Sequence, residues 1–580
     1  MVKTDSARGR EELRAARRAD HHLYWIVGLF SVFANLLMLT GPLYMLQVYD
    51  RVLGSRSVAT LVALTVLVAF LYAVMGLLDF ARGRIMARVG ARFQSGLERR
   101  VFDAALRKSA LDPGHTQGPG LRDLDALHRL LTSPVAMTVF DIPWTPVFLV
   151  GIAVFHPWLG YLALGGGALL VLVTLANQIL TRTPVASANY SQARADTIAT
   201  QTRGEARMVQ AMGMNDAVFT RWQQVRDTAS RHYLQAADLG GSFGSVSRTL
   251  RLFLQSAMLG LGAFLVIRGE VTPGAMIAAS ILLGRALAPI EQAIGSWTLV
   301  QRAVKGWSDL AQLLSDVAPE EARTALPVPR ARLEVQSLTL IPPGERSPVL
   351  RMLSFTVEPG QALGVIGPSG AGKSTLASAV TGMWLPATGS IRLDGATLDQ
   401  YPAATLAQHI GYLPQRVHLF DGTIAENIAR LSLQPDPALV VAAAQKAAAH
   451  EMILKLPNGY DTAVSVAGGR LSGGQLQRIG LARAMYGNPV ILVLDEPNSN
   501  LDNEGSQALN TAIRSLKAEG KSVLIMAHRP AAIQECDVIL VLEAGARTAF
   551  GPRDAVLKQV LSNYSDVQNS LGQNIAGGVG

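Results

Sequence analysis

Long apolar stretches constrain the fold of this chain more than any other feature of its sequence. Residues 23–48, 58–78 and 158–180 contain no Asp, Glu, Lys or Arg. A helix rises about 1.5 Å per residue, so each stretch can cross a hydrocarbon layer of about 30 Å. The three stretches therefore predict membrane-spanning helices.

Three further segments complete a six-span pattern. Residues 135–155 carry one charge, Asp141, whereas residues 252–267 and 275–290 are shorter and need flanking residues to span. Buried core helices are the alternative interpretation of the last two. Only 16% of the 580 residues are charged and the mean hydropathy is +0.25. The charged fraction is low compared with the roughly 25% that soluble domains carry. We expect an α-helical membrane domain of six spans in a lipid bilayer.

Lys and Arg are distributed unequally between the connecting segments. With the N-terminus in the cytoplasm, residues 1–22, 79–134 and 181–251 hold 25 basic residues, and the outer loops hold three. This bias matches the positive-inside rule. The formal net charge of +9 is then explained by the cytoplasmic face of a multi-pass protein, and no nucleic-acid partner is expected.

The remaining sequence divides into segments of different character. We expect a cytoplasmic segment at 1–19, the six helices within 20–317, a linker at 318–330 and an α/β domain at 331–562. The last residues, 563–580, are polar and glycine-rich, which favours disorder. Mixed charge and helical spacing in 79–134 and 181–251 predict that the spans continue as helices beyond the bilayer. The one cysteine, Cys536, is expected to be a small core residue.

A glycine-rich run in the second half has the form G-x-x-x-x-G-K-[ST]. It reads Gly367-Pro368-Ser369-Gly370-Ala371-Gly372-Lys373-Ser374-Thr375 and follows an apolar, strand-like segment. In such a loop backbone N–H groups wrap phosphates, Lys373 neutralises them, and the Ser374 hydroxyl is placed for Mg²⁺. Alone, the run predicts only a nucleoside triphosphate site.

Four further motifs follow the glycine-rich run in a fixed order. They are Gln415, then Leu471-Ser472-Gly473-Gly474-Gln475, then Ile491-Leu492-Val493-Leu494-Asp495-Glu496, and then His528. This ordered set resembles the ATP-binding cassette (ABC) ATPases. The fold class expected from it is a six-span ABC exporter membrane domain fused to a cytoplasmic α/β P-loop domain, with ATP and Mg²⁺ as cofactors.

Additional motifs resemble one branch of that family. They are Leu43-Tyr44-Met45-Leu46-Gln47-Val48-Tyr49-Asp50-Arg51-Val52, Asp141-Ile142-Pro143-Trp144-Thr145-Pro146-Val147-Phe148, Leu287-Ala288-Pro289-Ile290-Glu291-Gln292-Ala293-Ile294-Gly295-Ser296-Trp297, and Asn498-Ser499-Asn500 within the ATPase half. Together they look like the PrtD-type permease/ATPase of bacterial type I secretion systems, over residues 20–562. The resemblance implies an inner-membrane exporter of an unfolded secreted protein, a periplasmic membrane-fusion adaptor and a TolC-like outer-membrane channel.

The resemblance also implies roles for individual residues. Glu496 would polarise the attacking water, and His528 would contact the γ-phosphate. Asp495, Gln415 and Ser374 would hold Mg²⁺.

Residues 472–475 would face the ATP bound by another subunit, and Asp502 would cross between the two sites. One phosphate loop and one such segment per chain imply a homodimer that closes on two ATP molecules.

Two positions depart from the pattern of the family. Ile341, or a neighbouring proline, stands where exporters usually place an aromatic residue against adenine, so weaker base stacking is expected. Ser465 and Val466 replace the common Gly and Glu, which puts in doubt a charged contact to the opposite subunit.

Two questions stay open at the level of sequence. An exporter of a lipid or small molecule with the same architecture is the alternative to protein export, whereas a soluble ABC ATPase is excluded by the spans. Arg285 lies within the sixth span, where it either pairs with Asp141 or another polar cluster, or lines the translocation path with its counterpart in the dimer.

Overall fold

The computed structural model describes residues 7–111, 120–320, 323–464, 471–499, 501, 503–527 and 530–559. Its internal contacts divide the chain into two compact units. The first comprises Met1–Lys108 and Gln117–Pro319, and the second Ser109–Thr116 and Glu320–Gly580. Each unit is described by itself.

The described residues of the first unit form helices and the short connections between them, with no strand. Its α-helices are α1 (Ala7–Ala19), α2 (His21–Leu37), α3 (Thr40–Gln47), α4 (Leu53–Ser55), α5 (Val58–Leu111), α6 (Leu121–Thr132), α7 (Pro134–Asp141), α8 (Thr145–Phe155), α9 (Pro157–Gly204), α10 (Ala206–Ala211), α11 (Asn215–Ile267), α12 (Pro273–Gly295) and α13 (Trp297–Asp316). A π-helical turn, Val48–Val52, joins α3 to α4, and a 3₁₀ turn, Ile142–Trp144, joins α7 to α8.

Six helical segments among the described residues are long and apolar enough to cross a membrane. They are His21–Ser55, Val58–Leu111, Pro134–Phe155, Pro157–Gly204, Asn215–Ile267 and Pro273–Ala293. Each contains one of the six segments predicted from the sequence, including the two shorter ones. The expected helical extensions are also present, because α5, α9 and α11 run for 54, 48 and 53 residues.

A buried ionic cluster joins α2, α5 and α7. The Arg82 guanidinium contacts Asp141 at 2.9 Å through Nη1 and Asp79 at 2.9 Å through Nε. Asn35 donates a hydrogen bond of 2.8 Å to the same Asp141 oxygen, and Arg82 also donates to the Ser31 hydroxyl at 3.1 Å. Arg82 therefore neutralises the one charge of the third span.

The alternative in which Arg285 pairs with Asp141 is wrong, because Arg82 already satisfies that carboxylate. Arg285 makes no ion pair within the described part of the chain, and its side chain is exposed while neighbouring α12 positions such as Leu283 and Leu287 are buried. Glu291, on the same helix, pairs instead with Arg251 of α11 at 3.1 Å.

Asp50 caps the first turn of α12. Its two carboxylate oxygens accept hydrogen bonds from the Gly274 backbone N–H at 2.8 Å and from the Thr272 hydroxyl at 2.6 Å. A Cβ atom at position 274 would lie 2.7 Å from the Asp50 carboxylate, so this close approach requires glycine. Asp50 thus fixes the position of the first turn of the sixth span.

The second unit is an α/β domain. Its strands are β1 (Leu333–Leu340), β2 (Leu350–Val357), β3 (Ala362–Ile366), β4 (Thr388–Leu393), β5 (Ala396–Thr397), β6 (Ile410–Leu413), β7 (Gly422–Thr423), β8 (Ala463–Val464), β9 (Ile491–Asp495), β10 (Ser522–Ala527), β11 (Val538–Glu543) and β12 (Ala546–Pro552). Its α-helices are α14 (Lys373–Val380), α15 (Ala403–His409), α16 (Ile424–Ile428), α17 (Pro437–Lys446), α18 (His450–Leu454), α19 (Gly473–Met485) and α20 (Asn503–Ala518).

Six strands form the central sheet, in the order β12-β11-β3-β10-β9-β6. All pairs are parallel except β11 with β12. Four other strands form an antiparallel sheet in the order β2-β1-β4-β5. This arrangement confirms the predicted α/β domain with a largely parallel sheet.

Apolar side chains cover both faces of the central sheet. Along β9 and β10, successive residues alternate between two core clusters: Leu492 and Ile525 belong to one, and Val493 and Leu524 to the other. Strands buried on both faces read as continuous apolar runs, as 491–494 does. Cys536 is buried in the first cluster, as predicted.

Candidate nucleotide-binding site

Three predicted site segments lie at the ends of strands of the central sheet. The glycine-rich run follows β3, Gln415 lies two residues after β6, and Asp495 ends β9. Since the strands are parallel, their carboxyl ends lie at one edge of the sheet, which is where open α/β sheets bind ligands. Residues that are far apart in the sequence therefore meet at one site.

Close packing against neighbouring residues accounts for two glycines of the phosphate loop. A Cβ atom at position 367 would lie 2.2 Å from the Leu542 carbonyl oxygen, and one at position 372 would lie 2.7 Å from the Leu350 side chain. Gly370 and Gly372 also have positive φ values, +80° and +98°, which glycine adopts without strain.

The phosphate loop leads into the N-terminus of α14. The helix begins at Lys373 and carries Ser374 and Thr375 in its first turn. A helix N-terminus presents free backbone N–H groups to an anion. The exposed Ser374 side chain adds a hydroxyl oxygen at the same place, so this end of the helix suits a phosphate with its cation.

Lys373 lies against the carbonyl groups of its own loop. Its ammonium group donates to the Gly367 and Pro368 carbonyl oxygens at 2.8 and 2.9 Å. Burial lowers the pKa of Lys373, while the nearby Glu496 and Asp495 carboxylates oppose that shift. The charge of Lys373 is thus held between the phosphate loop and the end of β9.

Two carboxylates follow each other at the end of β9, in different environments. Asp495 is 2% exposed and continues the pairing with β10, opposite Met526. Glu496 leaves the strand with a φ of +50°, a conformation that costs a non-glycine residue free energy and is concentrated at functional sites. Its backbone N–H is bound to the Met526 carbonyl at 3.0 Å, which holds the turn.

Gln415 contacts this turn directly. Its side-chain amide nitrogen donates to a Glu496 carboxylate oxygen at 3.1 Å. Because the nitrogen makes this bond, the amide oxygen of Gln415 remains an acceptor in the same region. The structure thus brings together Gln415 and Glu496, two residues that are 81 positions apart.

Ser472 and Gln475 form a reciprocal cap at the start of α19. The Ser472 hydroxyl accepts from the Gln475 N–H at 3.3 Å, and the Gln475 side chain accepts from the Ser472 N–H at 2.8 Å. Gly473 and Gly474 form the first turn that follows. This capping box leaves the other N–H groups of the turn for an anion.

Gln477 supports the turn that follows β9 and was missed in the sequence analysis. Its side chain is 2% exposed, and its amide nitrogen donates to the Pro497 carbonyl at 3.3 Å. Helix α19 is thereby tied to the residue after Glu496. The only signal in the sequence was its place two residues after Gln475, which does not reveal a partner 20 positions away.

Ile341 lies directly after β1 and is 40% exposed. The preceding Leu340 carbonyl accepts from the Val349 N–H at 2.9 Å, and Val349 approaches a Cβ position at Gly372 to 3.4 Å. Ile341 therefore follows Leu340, which is hydrogen-bonded to Val349, and Val349 packs on the phosphate loop. His528, Asp502, Ser465 and Val466 lie outside the described residues.

The second unit thus has a phosphate loop and a capped N-terminus of α19, and the first unit has six helical segments that could cross a membrane. Two family models match these parts: ABC transporter over residues 350–499 and ABC transporter transmembrane region over residues 24–287. The chain belongs to the ABC transporters, in the branch of the type I secretion system ATP-binding proteins. It binds ATP and has ATPase activity.

Curated relatives extend over nearly the whole chain. The type I secretion system ATP-binding protein PrsD of Rhizobium meliloti (strain 1021) is 42% identical over 98% of both chains. The ATP-dependent lipid A-core flippase of Alkalilimnicola ehrlichii is 30% identical over 92% of both, and the cyclolysin secretion/processing ATP-binding protein CyaB of Bordetella pertussis (strain Tohama I) is 28% identical over 92% of this chain and 76% of its own.

A solved structure has the same fold. The bacterial Atm1-family ABC exporter with ATP bound aligns with a TM-score of 0.78 at 23% identity, and the alignment covers 93% of this chain and 96% of that one. The expected fold class, an ABC exporter membrane domain joined to an ATP-binding cassette, is confirmed.

Proposed function

We propose that the chain is the inner-membrane exporter of a type I secretion system and couples ATP hydrolysis to the passage of an unfolded secreted protein. The observation that carries this proposal is the 42% identity with PrsD over 98% of both chains. The membrane-domain motifs around Asp50, Asp141 and Glu291 support it, because each of these acids makes a specific contact between spans.

The assembly proposed for this function follows from the resemblance. The ATPase domain, residues 331–562, faces the cytoplasm, and residues 1–19 precede the membrane domain on the same side. Residues 318–330 link the two domains, and 563–580 form a tail. Two copies form the exporter, which works with a periplasmic membrane-fusion adaptor and a TolC-like outer-membrane channel.

The phosphate-binding residues have distinct proposed roles. The loop of residues 367–375 wraps the ATP phosphates, and Lys373 turns from its loop carbonyls to neutralise them. Residues 472–475 face the ATP of the second copy, and Asp502 connects the two sites. Ile341 contacts the adenine.

Mg²⁺ fits the oxygen donors present at the site. Hard oxygen ligands and substrate phosphates, with one or two carboxylates, are its usual environment. The Ser374 hydroxyl, the Asp495 carboxylate and the Gln415 amide oxygen would hold it. When bound, Mg²⁺ neutralises charge on the β- and γ-phosphate oxygens.

Glu496 is proposed as the base that orients and polarises the attacking water. It is the carboxylate that leaves the strand, whereas Asp495 stays in register with β10. Gln415 holds one Glu496 oxygen, and its other oxygen can accept a proton from water. His528 would contact the γ-phosphate.

Lipid export is a second candidate, favoured by the 30% identity with a lipid A-core flippase over 92% of the chain. The experiment that separates the two is purification of a Glu496→Gln variant with ATP from its own cell envelope, followed by mass spectrometry. A secreted protein and an adaptor recovered with this variant, and absent from a Lys373→Ala variant, support protein export. Recovery of an envelope lipid in place of any protein, with lipid movement in proteoliposomes, supports lipid export.

A further inference from the structure

A cavity with a mainly apolar wall and several polar groups lies between three spans of the membrane unit, away from the nucleotide site. It has a volume of about 290 Å³ and is bounded by α9, α11 and the junction between α12 and α13. Its polar lining includes Asn177, Ser247, Arg248, Glu291 and Trp297.

Three hydrogen-bonding atoms of this lining have no partner among the described residues: Asn177 Oδ1, Ser247 Oγ and Trp297 Nε1. Asn177 is 4% exposed and Ser247 is 1% exposed. A buried polar group without a partner costs about 1–3 kcal/mol. Three such groups on one cavity indicate a ligand with matching polar atoms.

Charge at the cavity is net positive. Arg248 lines it and is exposed. Glu291 also lines it, but this carboxylate is already neutralised by Arg251 at 3.1 Å. One guanidinium is left without an opposite charge among the described lining residues, which favours an anionic group in the ligand.

On the proposed orientation, with the N-terminus of α9 and the C-terminus of α11 at the outer side, helix length places the cavity at the level of the cytoplasmic surface of the bilayer. Asn177 is 20 residues from the start of α9, and Ser247 is 20 residues from the end of α11. At about 1.5 Å per residue both lie about 30 Å from the outer ends of their spans, which is the thickness of the hydrocarbon layer. Headgroups of the inner leaflet occupy this level.

We propose that this cavity binds the headgroup of a phospholipid that carries a hydrogen-bond donor beyond its phosphate, as ethanolamine and glycerol headgroups do. The Arg248 guanidinium, the Ser247 hydroxyl and the Trp297 N–H donate to phosphate oxygens. Asn177 Oδ1 can only accept, so it requires an ammonium or hydroxyl donor. A choline headgroup offers a phosphate but no such donor.

The dimensions favour a headgroup over a polypeptide. A volume of about 290 Å³ is at the lower end of small-molecule sites, which suits one compact headgroup better than an extended chain. The assignment is independent of the exported cargo, since a resident lipid would serve a protein exporter and a lipid exporter alike.

The test uses the full-length protein in nanodiscs made from equal parts of phosphatidylethanolamine, phosphatidylglycerol and phosphatidylcholine, transferred to detergent for native mass spectrometry. We expect the amount of ethanolamine and glycerol lipid retained to exceed that of the choline lipid about tenfold. This is the effect of one hydrogen bond to a buried acceptor, Asn177 Oδ1. Equal retention of all three lipids would overturn the proposal.

Two variants and one control locate the lipid. A Cβ atom at Gly244 meets no other atom within 4 Å, so Gly244→Leu places its side chain in the cavity and should abolish retention. Asn177→Leu should keep phosphate binding but lose the preference against choline. Gly76→Leu, at an exposed α5 position that is equally open, should behave as the wild type.

Basal ATPase activity reports folding in each variant, because none of these positions belongs to the nucleotide site. Unchanged lipid retention in an active Gly244→Leu variant would contradict the assignment. Capture of a secreted protein and of no lipid by a photo-crosslinker at position 244 would also contradict the assignment. If the proposed secretion function is wrong, the protein will export no secreted protein but will still retain the lipid.

Discussion

Gln415 donates a hydrogen bond of 3.1 Å to the Glu496 carboxylate, and this contact joins the segment after β6 to the turn after β9. Glu496 adopts a φ of +50° there, so its side chain leaves the sheet while Asp495 remains in strand register. The contact orients one oxygen of the Glu496 carboxylate. The first prediction rests on this arrangement.

Glu496→Gln should reduce the ATPase rate by about 10²–10⁴, the usual effect of a lost general base, while ATP stays bound. Lys373→Ala should instead weaken ATP binding, because a charge that neutralises phosphate is removed. Steady-state hydrolysis and nucleotide-binding titrations separate the two effects. Hydrolysis by the Gln variant near the wild-type rate would show that Glu496 is not the base.

Ile341→Tyr should tighten ATP binding by about 1 kcal/mol, the lower end of base–aromatic stacking. An aliphatic side chain that is 40% exposed offers apolar contact but no stacking, so wild-type protein should use ATP and GTP with similar efficiency. Nucleotide titration of wild type, Ile341→Tyr and Ile341→Leu measures this. An unchanged affinity in the Tyr variant would indicate that another residue holds the base.

Arg285→Ala and Arg285→Glu should keep assembly and basal ATPase activity but reduce export, the Glu variant more strongly. Arg285 lies 12 residues after Pro273, about 18 Å into the sixth span, and it is exposed without an ion pair among the described residues. A charge at this depth faces a partner or a water-filled path. An acidic cargo would be attracted by arginine and repelled by glutamate.

Export in cells and ATPase activity in detergent test the role of Arg285. Normal export by both variants would show that Arg285 does not line the translocation path. Failure of both to assemble would assign it to a contact between the two copies.

Arg82→Met should destabilise the membrane unit by about 3–5 kcal/mol, because it leaves the Asp141 carboxylate without its cation. The double variant Arg82→Met with Asp141→Leu should recover most of this loss, since both charges are then removed. Thermal unfolding of the detergent-purified proteins gives the comparison. Equal stability of the single and double variants would show that the ion pair is not the cause.

Cys536 should resist alkylation in the folded protein at pH 8.5. Burial raises the pKa of this thiol to about 12 from 9.0, so the thiolate is scarce and shielded. The folded state therefore holds this proton more tightly than the unfolded state, and the resulting stability is lost as the pH rises from about 9 to about 12.

Mass spectrometry after N-ethylmaleimide treatment measures the reactivity of Cys536. An exposed cysteine introduced by Ser347→Cys provides the control and should react within the same time. Rapid modification of Cys536 before unfolding would contradict its buried environment.

Local sequence patterns determined much of this protein. The uncharged runs of residues 23–48, 58–78 and 158–180 specified spanning helices, because a single long apolar segment satisfies its own backbone groups in a bilayer only as a helix. The spacing within residues 367–375 specified a phosphate loop because the glycines and Lys373 act over a few adjacent residues. These features depend on neighbours in the chain, so they can be read from it.

Tertiary structure alone decided which distant residues meet. The Asp141 charge was visible in the sequence, but the packing of α5 against α7 selected Arg82 as its partner, and Arg285 was left exposed. Gln477 reached the Pro497 carbonyl only because α19 packs beside the end of β9. The cavity at Asn177 and Ser247 arose from three separate spans. Side-chain pairing across helices depends on packing geometry, and periodicity along one helix does not encode it.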